Sequence, residues 1–218
     1  SLKASILNFL NNNNIKVTLK LIADNSNDKF DNHILNFMNN KMIDITLHKS
    51  KISGNRGSYL ECCDQAESSD DLIFFIEDDY LFEENCIDEM LSTYSRISSI
   101  LKKDILMCPS DYPFFYDSQY STNILLGKKF RWRSVGETLL TFMFSKNIYH
   151  KYKNLIRLVG EKENNPFEKP LHDIYTRDLC IAPIGSLSHH ISRNVPSVNE
   201  DWTKVWNVNY KNYRSLKN

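Results

Sequence analysis

The chain has 218 residues, of which 41% are hydrophobic and 25% charged, and its 27 Lys and Arg residues balance 27 Asp and Glu residues. This composition is typical of a folded globular chain and excludes an intrinsically disordered one. A formal net charge of zero provides no general attraction to polyanions, so we expect no nucleic-acid partner.

Five cysteines are present, an odd number that includes an adjacent pair and shows no CxxC spacing. Free buried thiols in a reducing compartment explain this pattern better than a disulfide framework or a zinc site, which favours a cytoplasmic protein. No stretch reaches the roughly 18 to 20 apolar residues that cross a bilayer, so no transmembrane segment is predicted. The chain starts at Ser1 without Met, which leaves open a membrane association through a missing segment or a partner.

The first half of the chain alternates helical and strand-like patterns. Turn formers follow the first strand at 24–28 (DNSND), and a glycine-containing loop is expected at 51–57. The predicted elements are a helix at 1–10, a strand at 15–23, a helix at 34–38, a strand at 43–47, a helix at 58–66 and a strand at 72–76. Such alternation predicts an α/β fold with a mostly parallel central sheet flanked by helices.

The second half continues the pattern less regularly. The predicted elements are a helix at 86–101, a strand at 105–108, an irregular aromatic-rich region at 109–136, a strand at 138–144, a helix at 147–159 and a strand at 179–184. The tail beyond the last strand has no clear period. No repeat or linker divides the chain, so we expect a single domain covering 1–218.

Three consecutive carboxylates, Glu77, Asp78 and Asp79, follow the apolar run at 72–76. In open α/β sheets ligands bind beyond the carboxyl ends of strands, and adjacent carboxylates are costly unless a cation lies among them. Their hard oxygens suit Mn²⁺ or Mg²⁺, which commonly bridges protein carboxylates to phosphates. The triplet therefore indicates a nucleotide diphosphate site, with capping of the following helix as the alternative.

The order of strand, DNSND loop, GNRG loop, helix and strand ending in EDD resembles the GT-A glycosyltransferases, in particular their family 2-like group. The likeness spans residues 1 to about 206. It implies a GT-A (Rossmann-like) fold, with 1–110 as the nucleotide-binding half and 111–218 as the acceptor and catalytic half with a C-terminal tail. It also implies a first strand ahead of the helix at 1–10, which is absent from this sequence.

Several nucleotide-binding residues are implied by the resemblance. Asp24 matches an acidic position that contacts the nucleotide base, although the usual acidic doublet is Ala23-Asp24 here. Asn55, Arg56 and Gly57 match a loop near the nucleotide, where glycine allows close backbone approach and arginine pairs with phosphate. A plain turn is the alternative for this loop.

The resemblance also assigns the metal site. Asp79 matches the carboxylate that binds the cation, Asp78 a contact to ribose or to a metal-bound water, and Glu77 a residue that orients its neighbours. A C-terminal histidine often completes such a site, and His189 is favoured here over His190. The expected cofactor is Mn²⁺ or Mg²⁺, and a UDP-sugar is the most plausible donor.

Inverting transfer requires a base that accepts the proton of the acceptor hydroxyl. The family's acidic motif matches the stretch at 170–179, with Asp173 at the base position, although the preceding Glu of the family is His172 here. Asp173 as a helix N-cap is the alternative reading. Glu137 and Asp178 are reserve candidates.

Two further segments are candidates for substrate contacts. The aromatic-rich segment 114–133 is expected either to form the wall of the acceptor site or to belong to the core. The segment 194–206 is expected to act as a lid over the donor, as in members of the family.

The function predicted from sequence is therefore a metal-dependent glycosyltransferase that moves a sugar from a nucleotide-diphosphate sugar to a hydroxyl of a glycan or another acceptor, with inversion. Two alternatives remain open. One is a nucleotidyltransferase of related fold, whose usual Gly-rich basic loop is not found here. The other is a carbohydrate- or nucleotide-binding module without turnover.

Overall fold

The computed structural model describes residues 1–69, 71–117, 121–191 and 202–215. The chain has an α/β fold. Its helices are α1 (Leu2–Asn12), α2 (Asp28–Met38), α3 (Asn55–Ala66), α4 (Cys86–Leu101), α5 (Phe114–Asp117), α6 (Lys146–Glu161), α7 (Lys169–Tyr175) and α8 (Trp202–Ser215). Its strands are β1 (Val17–Ala23), β2 (Ile43–Lys49), β3 (Leu72–Phe75), β4 (Tyr80–Phe82), β5 (Leu106–Met107), β6 (Ile124–Leu126), β7 (Arg131–Val135), β8 (Phe142–Ser145), β9 (Cys180–Pro183) and β10 (Ser188–His190).

The main sheet has six strands in the order β3-β8-β5-β9-β7-β6. Only the β5–β9 pair is parallel, whereas the other four pairs are antiparallel. β1 and β2 form a separate parallel pair, and β4 and β10 an antiparallel pair. The prediction of a mostly parallel central sheet is therefore corrected to a mixed sheet.

The physical reason for the mixed sheet is the course of the chain around β8. β8 lies between β3 and β5 and runs antiparallel to both. A short continuous apolar run predicts a buried strand but carries no information on its direction. One consequence matters for function: β3, β5 and β9 run in the same direction, so their carboxyl ends meet at one edge of the sheet.

The core lies on both faces of this sheet. One face packs against α3, α6 and α7, and Phe142, Phe144 and Ile156 are fully buried there. The other face packs against α4 around Met90 and Trp132. A third cluster joins α1 and α2 to the β1–β2 pair. All five cysteines are free thiols, and four of them are buried.

Three regions differ from the sequence prediction. The expected loop at 51–57 ends early, because α3 begins at Asn55 after Gly54, whose φ of 93° lies in a region favouring glycine. The irregular region at 109–136 contains the β6–β7 hairpin. The unpatterned tail contains α8, and the part of the expected lid at 194–201 lies outside the described residues.

A buried carboxylate holds the β6–β7 hairpin against α4. Glu89 of α4 is 1% exposed and accepts hydrogen bonds from Thr93 Oγ1 and Trp132 Nε1. It also accepts from the backbone N–H groups of the hairpin turn at 128–130. A Cβ at Gly127 would lie 2.6 Å from the Glu89 carboxylate, so glycine is needed for this close approach.

Within the described ranges, no helix has both the length and the apolar character needed to cross a bilayer.

Candidate functional site

The carboxylate triplet lies at the carboxyl end of β3, as predicted, and its three side chains differ in exposure. Glu77 is half-buried, whereas Asp78 and Asp79 are exposed. β3 ends at Phe75, and its residues Ile73 and Phe75 belong to the cluster that packs toward α3 and α6. Asp79 is followed by the buried Tyr80 at the start of β4.

The β4–β10 pair brings one histidine to the triplet. In its register His190 lies opposite Tyr80, and the two rings stack with centres 4.8 Å apart. His190 Nε2 lies 3.0 Å from Asp79 Oδ2. Its Nδ1 is buried and has no hydrogen-bond partner within the described chain. The histidine in contact with Asp79 is thus the one that the sequence prediction ranked second.

His189, the histidine preferred from sequence, points to the opposite side of β10. Its Nε2 lies 3.0 Å from Glu83 Oε1, and the ring is 1% exposed. Successive residues of a strand face opposite sides, so only one histidine of the pair reaches Asp79. The structure does not bring His189 and Asp79 together.

The metal-ligand set near Asp79 is small. Among the described residues, no group of three or more His, Cys, Asp and Glu side chains is arranged to hold a metal ion. Asp79 and His190 supply one carboxylate and one imidazole in contact with each other. One carboxylate and one imidazole would leave most coordination positions of a cation to ligands from outside these two side chains, such as water or substrate oxygens.

Glu77 is held by the segment that leads into β8. Its backbone N–H donates to Thr141 Oγ1 at 3.1 Å. Burial, followed by the negative charges of Asp79 and Glu168, raises the pKa of Glu77 to about 7. Glu77 is therefore a carboxyl group that changes charge near neutral pH.

Helix α7 carries two carboxylates near this edge. Asp173, the predicted base, lies within the helix and not at its N-cap, and its side chain is 46% exposed and paired with Lys169 at 2.9 Å. Glu168 is the N-cap residue, and burial raises the pKa of its carboxyl group. The negative charge of Glu168 is one of the causes that raise the pKa of Glu77, after burial and the charge of Asp79.

His172 is one helical turn from Glu168. Its Nε2 lies 3.3 Å from the carbonyl oxygen of Thr138, and its charge acts on Glu168. Tyr175, one turn further, bonds its hydroxyl to Thr138 Oγ1 at 2.7 Å. This face of α7 therefore packs on the segment that also holds Glu77, whereas Asp173 lies beside it on the exposed side.

The residues predicted to bind the nucleotide lie around the start of α3. Asp24 Oδ2 accepts from the N–H of Gly54 at 2.7 Å, so Asp24 does meet the start of α3. Asn55, Arg56 and Gly57 lie in the first turn of α3. Arg56 donates from Nε to the carbonyl oxygen of Gly160 at the end of α6, so this donor is already used within the fold.

Asp178 and Glu137, the two reserve candidates for the base, lie in different parts of the structure. Asp178 accepts from Lys151 Nζ and from the hydroxyl of Tyr152 on α6. This pairing accounts for its buried carboxylate without a catalytic role. Glu137 is half-buried in the segment before β8.

Sequence reasoning missed Glu168 although a signal was present. Proline is favoured in the first turn of helices, and Pro170 lies in the first turn of α7. This preference would have placed the helix start near Glu168 instead of Asp173. Asp111 and Arg133, two buried charged residues described further below, carried no such signal.

Comparison with known proteins identifies no family, because no family model and no curated protein sequence matches the chain.

Proposed function

We propose that this chain is a metal-dependent glycosyltransferase that moves a sugar from a nucleotide-diphosphate sugar, with a UDP-sugar as the expected donor, to a hydroxyl of a glycan or another acceptor, with inversion. The observation that carries the proposal is the contact between Asp79 and His190 at the edge where β3, β5 and β9 end. Ligands of open α/β sheets bind at such edges. The GT-A assignment of the fold belongs to this proposal.

In the proposed mechanism Asp79 and His190 would hold the cation, and Asp78 beside them would contact the ribose or a bound water. When bound, the Mn²⁺ or Mg²⁺ ion neutralises charge on the departing nucleotide diphosphate. A carboxylate on the other side of the sugar accepts the proton of the acceptor hydroxyl while that oxygen attacks the anomeric carbon. Asp24 remains the candidate contact for the nucleotide base, and the start of α3 the candidate phosphate contact.

Two carboxylates of α7 are candidates for this base. Asp173 is the one implied by the family resemblance, and it is paired with Lys169 on the exposed side of the helix. Glu168 is partly buried and acts electrostatically on Glu77. Burial raises the pKa of Glu168, which makes its carboxylate the stronger base of the two, so we assign the proton acceptor to Glu168.

Donor binding tests the proposal directly. A panel of sugar nucleotides with Mn²⁺ is screened by thermal shift on the wild type, Asp79→Asn and Asp44→Asn, an exposed carboxylate control on β2. At 100-fold excess over Kd a bound donor raises Tm by roughly 5–10 °C. We expect that shift in the wild type and the control but not in Asp79→Asn. If no donor shifts the wild type, the proposal fails.

Turnover separates an enzyme from a binding module. We expect the donor found in the panel to be hydrolysed slowly, with steady release of nucleoside diphosphate that stops in Asp79→Asn. Nucleotidyltransferase chemistry would instead be indicated by release of pyrophosphate when a nucleoside triphosphate and a sugar 1-phosphate are supplied in place of the sugar nucleotide. Donor binding without release of either product would indicate a binding module.

The identity of the base is tested by two matched substitutions. We expect Glu168→Gln to lower the transfer rate at least about 100-fold, because general base catalysis contributes that much or more. Asp173→Asn should change the rate only a few-fold, and both variants should bind donor normally. The opposite ranking would assign the base to Asp173.

The compartment is part of the proposal as well. Five free thiols support a reducing environment, and we propose a cytoplasmic location.

A further inference from the structure

A second cluster of charged residues lies at the same sheet edge, on the loop that follows β5. Asp111 is 1% exposed, and its Oδ2 accepts from the Tyr116 hydroxyl at 2.6 Å and from the N–H of Gly185 at 2.9 Å. Its other carboxylate oxygen, Oδ1, is buried and has no hydrogen-bond partner in the described part of the chain. Asp111 thus holds one unused acceptor.

Arg133 of β7 supplies an unused donor to the same cluster. It is 8% exposed, and its Nη1 lies 3.5 Å from the carbonyl oxygen of Phe115. Its Cζ lies 4.0 Å from the centre of the Tyr116 ring. Its Nε is buried without a hydrogen-bond partner among the residues described.

Leaving this buried donor and this buried acceptor without partners lowers the stability of the folded protein. A buried polar group left without a partner costs about 1–3 kcal/mol, and more when it is charged. Two such groups within contact of one tyrosine are therefore better explained by a ligand that pairs with both. None of the functions assigned above uses Asp111 or Arg133.

Tyr116 indicates the size of such a ligand. It is 51% exposed, and it places a six-membered ring on the Arg133 guanidinium and a hydroxyl on the Asp111 carboxylate. A pyranose is also a six-membered ring with hydroxyl groups at its rim. Movement of this half-exposed side chain would free Asp111 Oδ2 and one face of the Arg133 guanidinium for a sugar in the same position.

The charges define the chemical class further. The Asp111 carboxylate repels phosphates and other anions, and the Arg133 guanidinium repels cations. A neutral ligand must donate to Asp111 Oδ1 and accept from Arg133 Nε, and a hydroxyl group does both. Neighbouring aromatic rings, including Phe115, suit stacking against the faces of a sugar.

We propose that Asp111 and Arg133 form a binding subsite for a neutral pyranose, and that the Tyr116 side chain moves aside when the sugar binds. The subsite adjoins the carboxylate triplet, since Tyr112 bonds its hydroxyl to that of Tyr80 at 2.6 Å. Its role as the acceptor subsite depends on the proposed transferase function. The binding of the sugar itself does not.

The test measures binding of methyl glycosides of glucose, galactose, mannose, rhamnose and N-acetylglucosamine by saturation-transfer NMR and calorimetry. We expect at least one to bind the wild type and Asp117→Asn, a control in which an exposed carboxylate of α5 is changed. Asp111→Asn and Arg133→Lys should weaken binding about 10- to 100-fold, as expected for hydrogen bonds to charged groups. Tyr116→Phe should bind as well as the wild type or better.

Deoxy analogues of the bound glycoside test the same contacts on the wild-type protein. Their result does not depend on whether a protein variant folds. Loss of either hydroxyl that meets Asp111 or Arg133 should weaken binding to the wild type by a similar factor. The proposal is overturned if no glycoside binds the wild type, or if Asp111→Asn and Arg133→Lys bind as tightly as the wild type.

A parallel thermal shift with UDP and Mn²⁺ keeps the two proposals distinguishable. A protein that responds to UDP and not to glycosides retains the transferase proposal and loses this subsite. A protein that binds glycosides and not nucleotides retains the subsite and loses the transferase.

Discussion

Glu77 is the residue through which pH is expected to change stability. Burial and neighbouring negative charges raise its pKa to about 7, so the folded state binds this proton more tightly than the unfolded state. The stabilisation is present below the ordinary glutamate pKa and is lost as pH rises toward 7. Its size is roughly 3 kcal/mol, from about 1.4 kcal/mol per unit of pKa.

The corresponding variant is Glu77→Gln, which is neutral at every pH. We expect it to be more stable than the wild type at pH 8, and to lose less stability between pH 5 and pH 8, in urea unfolding monitored by circular dichroism. Glu163→Gln, at an exposed position, is the control and should follow the wild type. Equal pH dependence of Glu77→Gln and the wild type would contradict the assignment.

The sequence predicted where the candidate site lies better than it predicted which side chains form it. The triplet at 77–79 was predicted at a strand end because an apolar run stops there. The preference for His189 over His190 had no physical basis in the sequence, since the choice depends on the register of β10 against β4. Asp111 and Arg133 became neighbours only through the pairing of β5, β9 and β7.

Among the elements, the β6–β7 hairpin depends most on one distant side chain. Glu89 of α4 accepts three backbone hydrogen bonds from the turn of this hairpin as well as one from Trp132. Glu89→Gln replaces one carboxylate oxygen by an NH₂ group. This group would face the N–H and O–H groups that now donate to Glu89. We expect a loss of about 2–4 kcal/mol in the free energy of unfolding, measured in urea.

Glu84→Gln is the matched control for this variant, because Glu84 is exposed and lies on the segment before α4. It should stay within about 0.5 kcal/mol of the wild type. Because Arg133 lies on β7, Glu89→Gln should also weaken any glycoside binding at Asp111. An unchanged stability in Glu89→Gln would show that the hairpin does not need this carboxylate.

Dependence on distant contacts explains which helices and strands could be predicted from the sequence and which could not. The helix at 86–101 was predicted with its observed bounds, because its apolar period is local and continuous. The hairpin within 109–136 was missed, since its turn is held by Glu89 and not by a turn sequence of its own. β4 and β10 were missed because each has only three residues and pairs with a segment about a hundred residues away.

The whole molecule is expected to open in stages. The strands β8 and β9 are fully buried, whereas β1 has no buried residue and pairs with β2. Buried strands exchange their amide hydrogens only on global unfolding, while less buried units open at lower free energy. We expect amides of β1 and β2 to exchange at least about tenfold faster than those of β8 and β9, measured by mass spectrometry.

A core substitution in the smaller unit tests its independence. Ile43→Ala, in the cluster that joins β2 to α1 and α2, should speed exchange in β1 and β2 and leave β9 unchanged. Phe142→Ala, in the main sheet, should speed exchange in both parts. Equal acceleration everywhere by Ile43→Ala would indicate a single cooperative unit.

The free cysteines give the protein an internal reporter of its own opening. Burial raises the pKa of Cys62 and Cys108 to about 12 and that of the other three as well, so alkylating reagents meet almost no thiolate in the native fold. All five lie in α3, in α4 or along the central strands, and the 17–49 segment has none. The rate of cysteine labelling would therefore measure exposure of the main sheet and would not detect local opening of the β1–β2 pair.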